Sequence, residues 1–192
     1  MDISLKNVAA SFYNQPVLSN ITLDIESGST LAIIGPSKAG KTTFLKLFNR
    51  LDEEKKGFKV TGKILIDGQS IHQQDKLELR RNIGIIFAKP YTLPGSVLSN
   101  LSFGLRIQGV KDDDLILQKI KQVLAEFDLW SYFEPDLDKK AKDLKSLKKQ
   151  ILALARVLIL NPEILLFEQP TKYLSEIAAR KLEGIIFDLR KR

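Results

Sequence analysis

In the first quarter of the chain, apolar and polar residues alternate in "ISLKNVAA" and again in "VLSNITLDI", and "ESG" then supplies a turn. A period of two is the signature of a half-buried strand, so both stretches are predicted strands. The next run, "TLAIIG", is continuously apolar, as expected of a strand covered on both faces, and predicts a strand over 30–34. In "KTTFLKLFNRL" the rhythm changes, with Phe44, Leu45, Leu47, Phe48 and Leu51 at helical spacing. "GKILIDG", "IGIIF" (83–87) and "EILLF" predict three further strands. Helices are predicted over most of 96–127, over 146–160 and over 175–191. "DDD" at 112–114 places negative charge at a helix start, and Arg and Lys lie in the last turn of the final helix. Strands alternating with helices predict an α/β fold with a mostly parallel sheet and an antiparallel N-terminal part.

Composition narrows this picture. The 192 residues suffice for one sizeable core, and 44% hydrophobic with 28% charged content is that of a globular domain. No apolar stretch approaches the ~20 residues that span a bilayer, and "MDISLKN" lacks the features of a secretory signal. With no cysteine, disulfides, thiolate nucleophiles and zinc–thiolate sites are excluded. The single histidine, His72, lies in the polar stretch "GQSIHQQD" and is expected in an exposed loop. The net charge of +7 would suit nucleic acid or anionic lipid. Its excess sits in "DKKAKDLKSLKK" (138–149) without interleaved aromatics, so the expectation is a solvated helix face and no nucleic-acid partner.

The strongest chemical signal is "GPSKAGKTT", residues 35–43, which fits G-x-x-x-x-G-K-[ST] between an apolar strand and a helix start. Gly35, Pro36, Ser37, Lys38, Ala39, Gly40, Lys41, Thr42 and Thr43 are the candidate nucleotide-binding residues. Backbone N–H groups from Ser37 to Thr43 can surround a β-phosphate, and the helix N-terminus adds partial positive charge. Lys41 would reach the β- and γ-phosphates and the Thr42 hydroxyl a Mg²⁺ ion, which makes ATP and Mg²⁺ the expected ligands.

With this loop in place, the chain resembles the ATP-binding subunit of ABC transporters. The likeness is carried in order by "VLSNITLDIESGSTLAIIGPSKAGKTTFLKLFNRL", "RRNIGIIFAKPYTLPGSVLSNLSFGLRIQG" and "ARVLILNPEILLFEQPT". "FNRL", "KVTGKILIDGQSI" and "FAKPYTLPGSVLSNLSFGLRIQG" are most similar to the phosphate-importer subgroup. The resemblance implies a P-loop NTPase fold over 1–192, with a core of 1–89 and 158–192 and a helical subdomain over about 90–157. It implies a second ATP-binding subunit, identical or different, and an integral membrane permease as partners. The implied location is cytoplasmic, peripheral on the inner face of the plasma membrane. An aromatic before "VLSNI" would stack on adenine; Tyr13 is the candidate and Phe12 the runner-up. Tyr91, Leu93 and Leu98 are candidate permease contacts.

Carried over position by position, the likeness breaks at the reaction centre. Lys38 stands where the family has glycine and costs something if that backbone needs a positive φ. Ala88 replaces a glutamine that holds Mg²⁺ and the attacking water. Ser146 and Leu147, in "LKSLKK", replace the glycines of the signature motif, and Leu147, Ile151, Leu154 and Leu158 form the apolar stripe of an ordinary packed helix. Glu168 replaces the metal-associated aspartate, Gln169 the general base and Ser175 a turn aspartate. General-base catalysis is worth about 10²–10⁴ in rate. A glutamine can still orient a water, but departures at several positions of one reaction centre predict hydrolysis that is weak or absent. The expected function is the ATP-binding subunit of a phosphate-type importer; the alternative is a non-hydrolysing ATP-binding subunit that regulates or pairs with an active copy. A P-loop kinase is disfavoured, because Arg80, Arg81 and Arg106 form no evident lid. The resemblance also implies a strand after the final helix, between 30–34 and 164–168; the sequence stops at "DLRKR", and unpaired strand edges and marginal folding are expected.

Overall fold

The computed structural model describes residues 1–190. The chain forms two compact units, Met1–Ile83 and the residues from Gly84 on.

The first unit is built on an antiparallel sheet in the order β2–β1–β3–β4, with β1 Ile3–Phe12, β2 Gln15–Ile25, β3 Phe58–Ile66 and β4 Gln69–Ser70. The alternation in β1 turns Ile3, Leu5, Val8 and Ala10 inward. Leu5 and Val8 are three residues apart, yet both are buried, because a register shift between them inserts the extra residue of a bulge. Asn7 takes φ 50° there. Gly62, at φ 87° opposite it, is needed, since a Cβ would collide with the Asn7 carbonyl oxygen.

Helix α1 (Lys41–Phe48) buries Phe44, Leu47 and Phe48. Two arginines fasten its C-terminal end. Arg50 pairs with Glu53 at 2.8 Å and donates to the carbonyls of Ile71 and Gln74. Arg80, on α2 (Lys76–Asn82), donates to the carbonyls of Asn49 and Arg50 and pairs with Glu54. Burial pushes the Glu53 carboxyl up, but Arg50, His72 and Lys76 outweigh it and hold the group below its ordinary value. His72 is in the expected polar loop, with Nδ1 3.2 Å from Glu53.

The strand predicted over 30–34 is absent. This stretch belongs to no strand and makes no backbone hydrogen bond among the described residues. Ile34 is 94% exposed, and Leu31 and Ile33 are exposed as well. A covered strand needs a neighbour for its N–H and C=O groups and a face to pack on. The first unit supplies neither, and burial worth about 1.5–3 kcal/mol per large aliphatic side chain is not realised.

The second unit holds a two-stranded sheet, β5 (Ile83–Ile86) with β6 (Ile164–Phe167), and helices α3 (Val97–Ile107), α4 (Asp113–Glu126), α5 (Trp130–Phe133), α6 (Ser146–Leu158) and α7 (Glu176–Leu189). Its core draws Val97, Leu101 and Leu105 from α3, Ile116, Ile120 and Leu124 from α4, and Ile151, Leu154 and Leu158 from α6. Ser96, Asp112 and Ser175 cap α3, α4 and α7 with side-chain oxygens. Asp112 of "DDD" is that cap and Asp113 and Asp114 fill the first turn, as the sequence predicts. The basic run 138–149 is not a helix face. Most of it is turn and 3₁₀ structure, and α6 begins only at Ser146. The α/β class predicted from the sequence holds, with the antiparallel part at the N-terminus. The predicted final helix is α7, but no basic residue lies in its last turn, since Arg190 caps it and Lys191 and Arg192 lie outside the described residues.

Candidate functional site

The loop 35–43 leads directly into α1, without the strand expected before it. Gly40 lies at φ 83°, ψ 3°, immediately before α1. A Cβ on Gly40 would come within 2.8 Å of Leu18 Cδ2 and of the Val17 carbonyl oxygen, so this glycine is required by conformation and by space. Lys38 is also left-handed, at φ 67°, which is the strain expected of a lysine there. Lys41 folds back over the loop, its Nζ donating to the carbonyls of Gly35 at 2.7 Å and Pro36 at 2.6 Å. An ammonium held across the loop's mouth by two neutral carbonyls can exchange those contacts for phosphate oxygens. α1 has no side-chain cap and no acid in its first turn, so its first N–H groups add to the same positive end.

The two candidate aromatics differ in surroundings. Phe12 packs on Phe58 with ring centroids 4.9 Å apart, and the Lys55 ammonium lies over its ring. Tyr13 is 66% exposed, lies against Gly57 and is pinned by a 2.8 Å bond from its N–H to the Gly57 carbonyl. Tyr13 is the ring that offers a surface to a ligand.

The remaining predicted residues lie in the second unit. Glu168 follows β6, and its backbone N–H donates to the Ile86 carbonyl at 2.8 Å. Gln169, the next residue, is exposed and left-handed at φ 42°. Ala88 and Ser146 border one cavity of this unit. Ser175 caps α7 through a bond from the Ala178 N–H. Leu147 is partly buried against the core, and Ile151, Leu154 and Leu158 are buried, so α6 packs as the apolar stripe predicts. Tyr91 is 70% exposed, whereas Leu98 packs on the core.

Three polar residues escaped the sequence reading. Asn100 is fully buried; it accepts from the Leu93 N–H at 2.8 Å and donates to the carbonyls of Leu93 and Ser96, fixing the loop before α3. Arg156 reaches the same Asn100 Oδ1 at 3.4 Å. Burial lowers its pKa below the ordinary arginine range, and Tyr91 acts in the opposite direction. Gln150 is 1% exposed and donates through Nε2 to the Phe87 carbonyl at 2.8 Å. A polar residue on the inward face of an apolar helix was the available signal, and Arg156 inside "ILALARVLIL" showed it openly.

Comparison with known proteins places these features. The family model described as "ABC transporter" matches residues 18–172. The chain is 34% identical over 190 residues to the phosphate import ATP-binding protein PstB 2 of Lactobacillus acidophilus, covering 98% of this chain and 76% of that one. It is 37% identical to PstB of Bacteroides fragilis, covering 91% and 70%, and 35% identical to PstB of Thermotoga maritima, covering 97% and 75%. Among solved structures, cbiO1 of Clostridium perfringens, part of the ABC transporter complex cbiONQ, superposes with a TM-score of 0.80 at 25% identity, over 98% of this chain and 73% of that one.

Proposed function

Because this chain belongs to the ABC transporter family, we propose that it is the ATP-binding subunit of a phosphate-type importer that binds Mg-ATP and hydrolyses it weakly or not at all. The observation that supports the binding half is the loop itself: Gly40, left-handed and in a space too tight for a Cβ, and Lys41 poised on two carbonyls. These residues fit a polyphosphate. Lys41 neutralises it, the N–H groups from Ser37 to Thr43 orient it, and Tyr13 offers a ring to the base. In the first unit Thr42 is the residue to hold Mg²⁺, which would supply charge neutralisation on the phosphates.

The hydrolysis half rests on chemistry absent from the second unit. Gln169 has no basic atom with which to take a proton from water, and Ala88 has no polar atom to orient one. At the start of α6, Ser146 and Leu147 carry side chains where glycines would admit a phosphate to the backbone. Losing general-base catalysis alone removes about 3–5 kcal/mol of barrier lowering. A second reading follows from the same α6 start: beside an intact homologue, this chain's loop would meet the partner's signature motif, while its own α6 start would disable the opposite site. Phosphate as solute comes from the names of the relatives.

Among the described residues no helix is long and apolar enough to cross a membrane. The family reading calls for a permease partner, and exposed Tyr91 is the first contact to test. Mg-ATP binding and phosphate release, measured for the chain alone and with an intact homologue, test this reading. Binding without release supports it, and release only in the mixture favours the paired subunit. Crosslinking from position 91 in membranes should capture an integral membrane protein.

A further inference from the structure

The basic run 138–149 has no part in the 35–43 loop. It holds six lysines against two aspartates, with no arginine and no aromatic residue. The second unit fixes the first two thirds of this run in place. The N–H groups of Val97 and Leu98 donate to the carbonyls of Lys139 and Leu137, each at 2.9 Å, and the Ala141 N–H donates to the Gly95 carbonyl at 3.0 Å. Lys140 pairs with Ser96 in an isolated antiparallel bridge, and a 3₁₀ turn follows over Ala141–Asp143. Ala141 and Leu144 are buried in the core of the unit. With those two side chains turned in, Lys139, Lys140, Lys142 and Lys145 are left exposed.

Little countercharge accompanies them. Asp136 is shared between Lys148 at 2.6 Å and Lys139 at 3.7 Å. Lys140, Lys142 and Lys145 make no ion pair among the described residues. Folding thus gathers three unneutralised ammonium groups on one backbone-paired segment, where they repel one another until an anion arrives. Which anion is set by the side chains at hand. Arginine's planar fork suits a single carboxylate or phosphate, whereas lysine is a hydrated point charge that asks for no such geometry. A single-stranded nucleic acid calls for stacking aromatics, and the run has none. A layer of anionic headgroups can meet several separate lysines at once without a fixed geometry. No large apolar side chain is exposed between 136 and 149, so nothing from this segment inserts into a bilayer and the contact is electrostatic and salt-sensitive.

We propose that the segment 138–145 is a surface by which this chain attaches directly to anionic lipid bilayers, through Lys140, Lys142 and Lys145. In an importer subunit it would be a second hold on the membrane beside the permease; only that context rests on the function proposed above. Lipid attachment itself needs neither nucleotide nor permease.

The test is cosedimentation of the full chain, without nucleotide, with vesicles of phosphatidylcholine alone and of phosphatidylcholine and phosphatidylserine in equal parts, at low and at physiological salt. It is repeated on Lys140→Gln, Lys142→Gln and Lys145→Gln, singly and together. A control triple, Lys6→Gln, Lys63→Gln and Lys119→Gln, removes the same formal charge from exposed positions outside the segment. Wild type is expected to bind the mixed vesicles, to ignore the neutral ones and to be released by salt. Each single change should weaken partition about fivefold and the triple about 100-fold, and the control triple by no more than about twofold. Circular dichroism checks that the triple folds, and the single variants carry the test if it does not. An equal loss in the control triple would make attachment a matter of net charge and overturn the proposal. No binding to the mixed vesicles at low salt, or equal binding to neutral ones, would overturn it too. Tighter binding to duplex DNA, lost in the same triple, would assign the surface to nucleic acid and likewise overturn it. Vesicle binding in a chain shown not to bind Mg-ATP leaves the surface standing and removes only its importer context.

Discussion

The chain has two helix starts at which its family handles phosphate, the start of α1 and the start of α6, and they are built differently. At α1 the backbone arrives through Gly40 in the left-handed region, with Lys41 turned back over the loop. At α6 it arrives through Lys145 in extended conformation at φ −68°, ψ 157°, followed by Ser146 and Leu147. Both starts lack a side-chain cap, so at neither is a first-turn N–H taken up by a capping side chain. What separates them is what the side chains leave open. Gly40 lets the loop close around a ligand, whereas Ser146 and Leu147 occupy the approach to α6 and leave lysines beside it. The lesson is that an open helix start attracts anions by itself, but glycine decides which anion can come close.

The largest effect that would sharpen this contrast is at Lys41. Lys41→Ala should weaken Mg-ATP binding by about 10–100-fold, the worth of hydrogen bonds to a charged group, as read by equilibrium titration with a fluorescent nucleotide. An equal loss in Lys149→Ala would break the contrast between the two helix starts. Gly40→Ala comes next: the new Cβ would press on Val17 and Leu18 in a left-handed backbone. It should cost about 1–3 kcal/mol in denaturant unfolding. The double change Ser146→Gly, Leu147→Gly should not restore phosphate release, because Ala88 and Gln169 remain, and should destabilise α6 by about 1–2 kcal/mol through helix propensity. The smallest effect is at Lys38. Lys38→Gly relieves a left-handed lysine at φ 67° and should stabilise the chain by about 1 kcal/mol or less, visible as a small rise in Tm.

Much of this was legible in the sequence because the signals were local. The phosphate loop is nine consecutive residues of one motif, and the helices of the second unit announce themselves by period, with the acids at 112–114 marking the start of α4. The strand over 30–34 was misread because its apolar run states only what it would pack against, and strand pairing is a long-range property that no neighbouring residue encodes. "DKKAKDLKSLKK" was misread as a helix face since charge without apolar period does not distinguish a turn from a helix. Asn100 and Gln150 were missed for a related reason: their value lies in partners seven and 63 positions away.

The central claim is a chain that holds nucleotide and does not turn it over. The direct measurement is a Mg-ATP binding isotherm taken beside steady-state phosphate release on the same preparation, for wild type and for Gln169→Glu. The account predicts saturable binding, release near background in wild type, and little gain in Gln169→Glu, since Ala88 and the α6 start are unchanged. Wild-type turnover in the ordinary enzyme range of about 1–10³ s⁻¹, or no saturable binding at all, would contradict it.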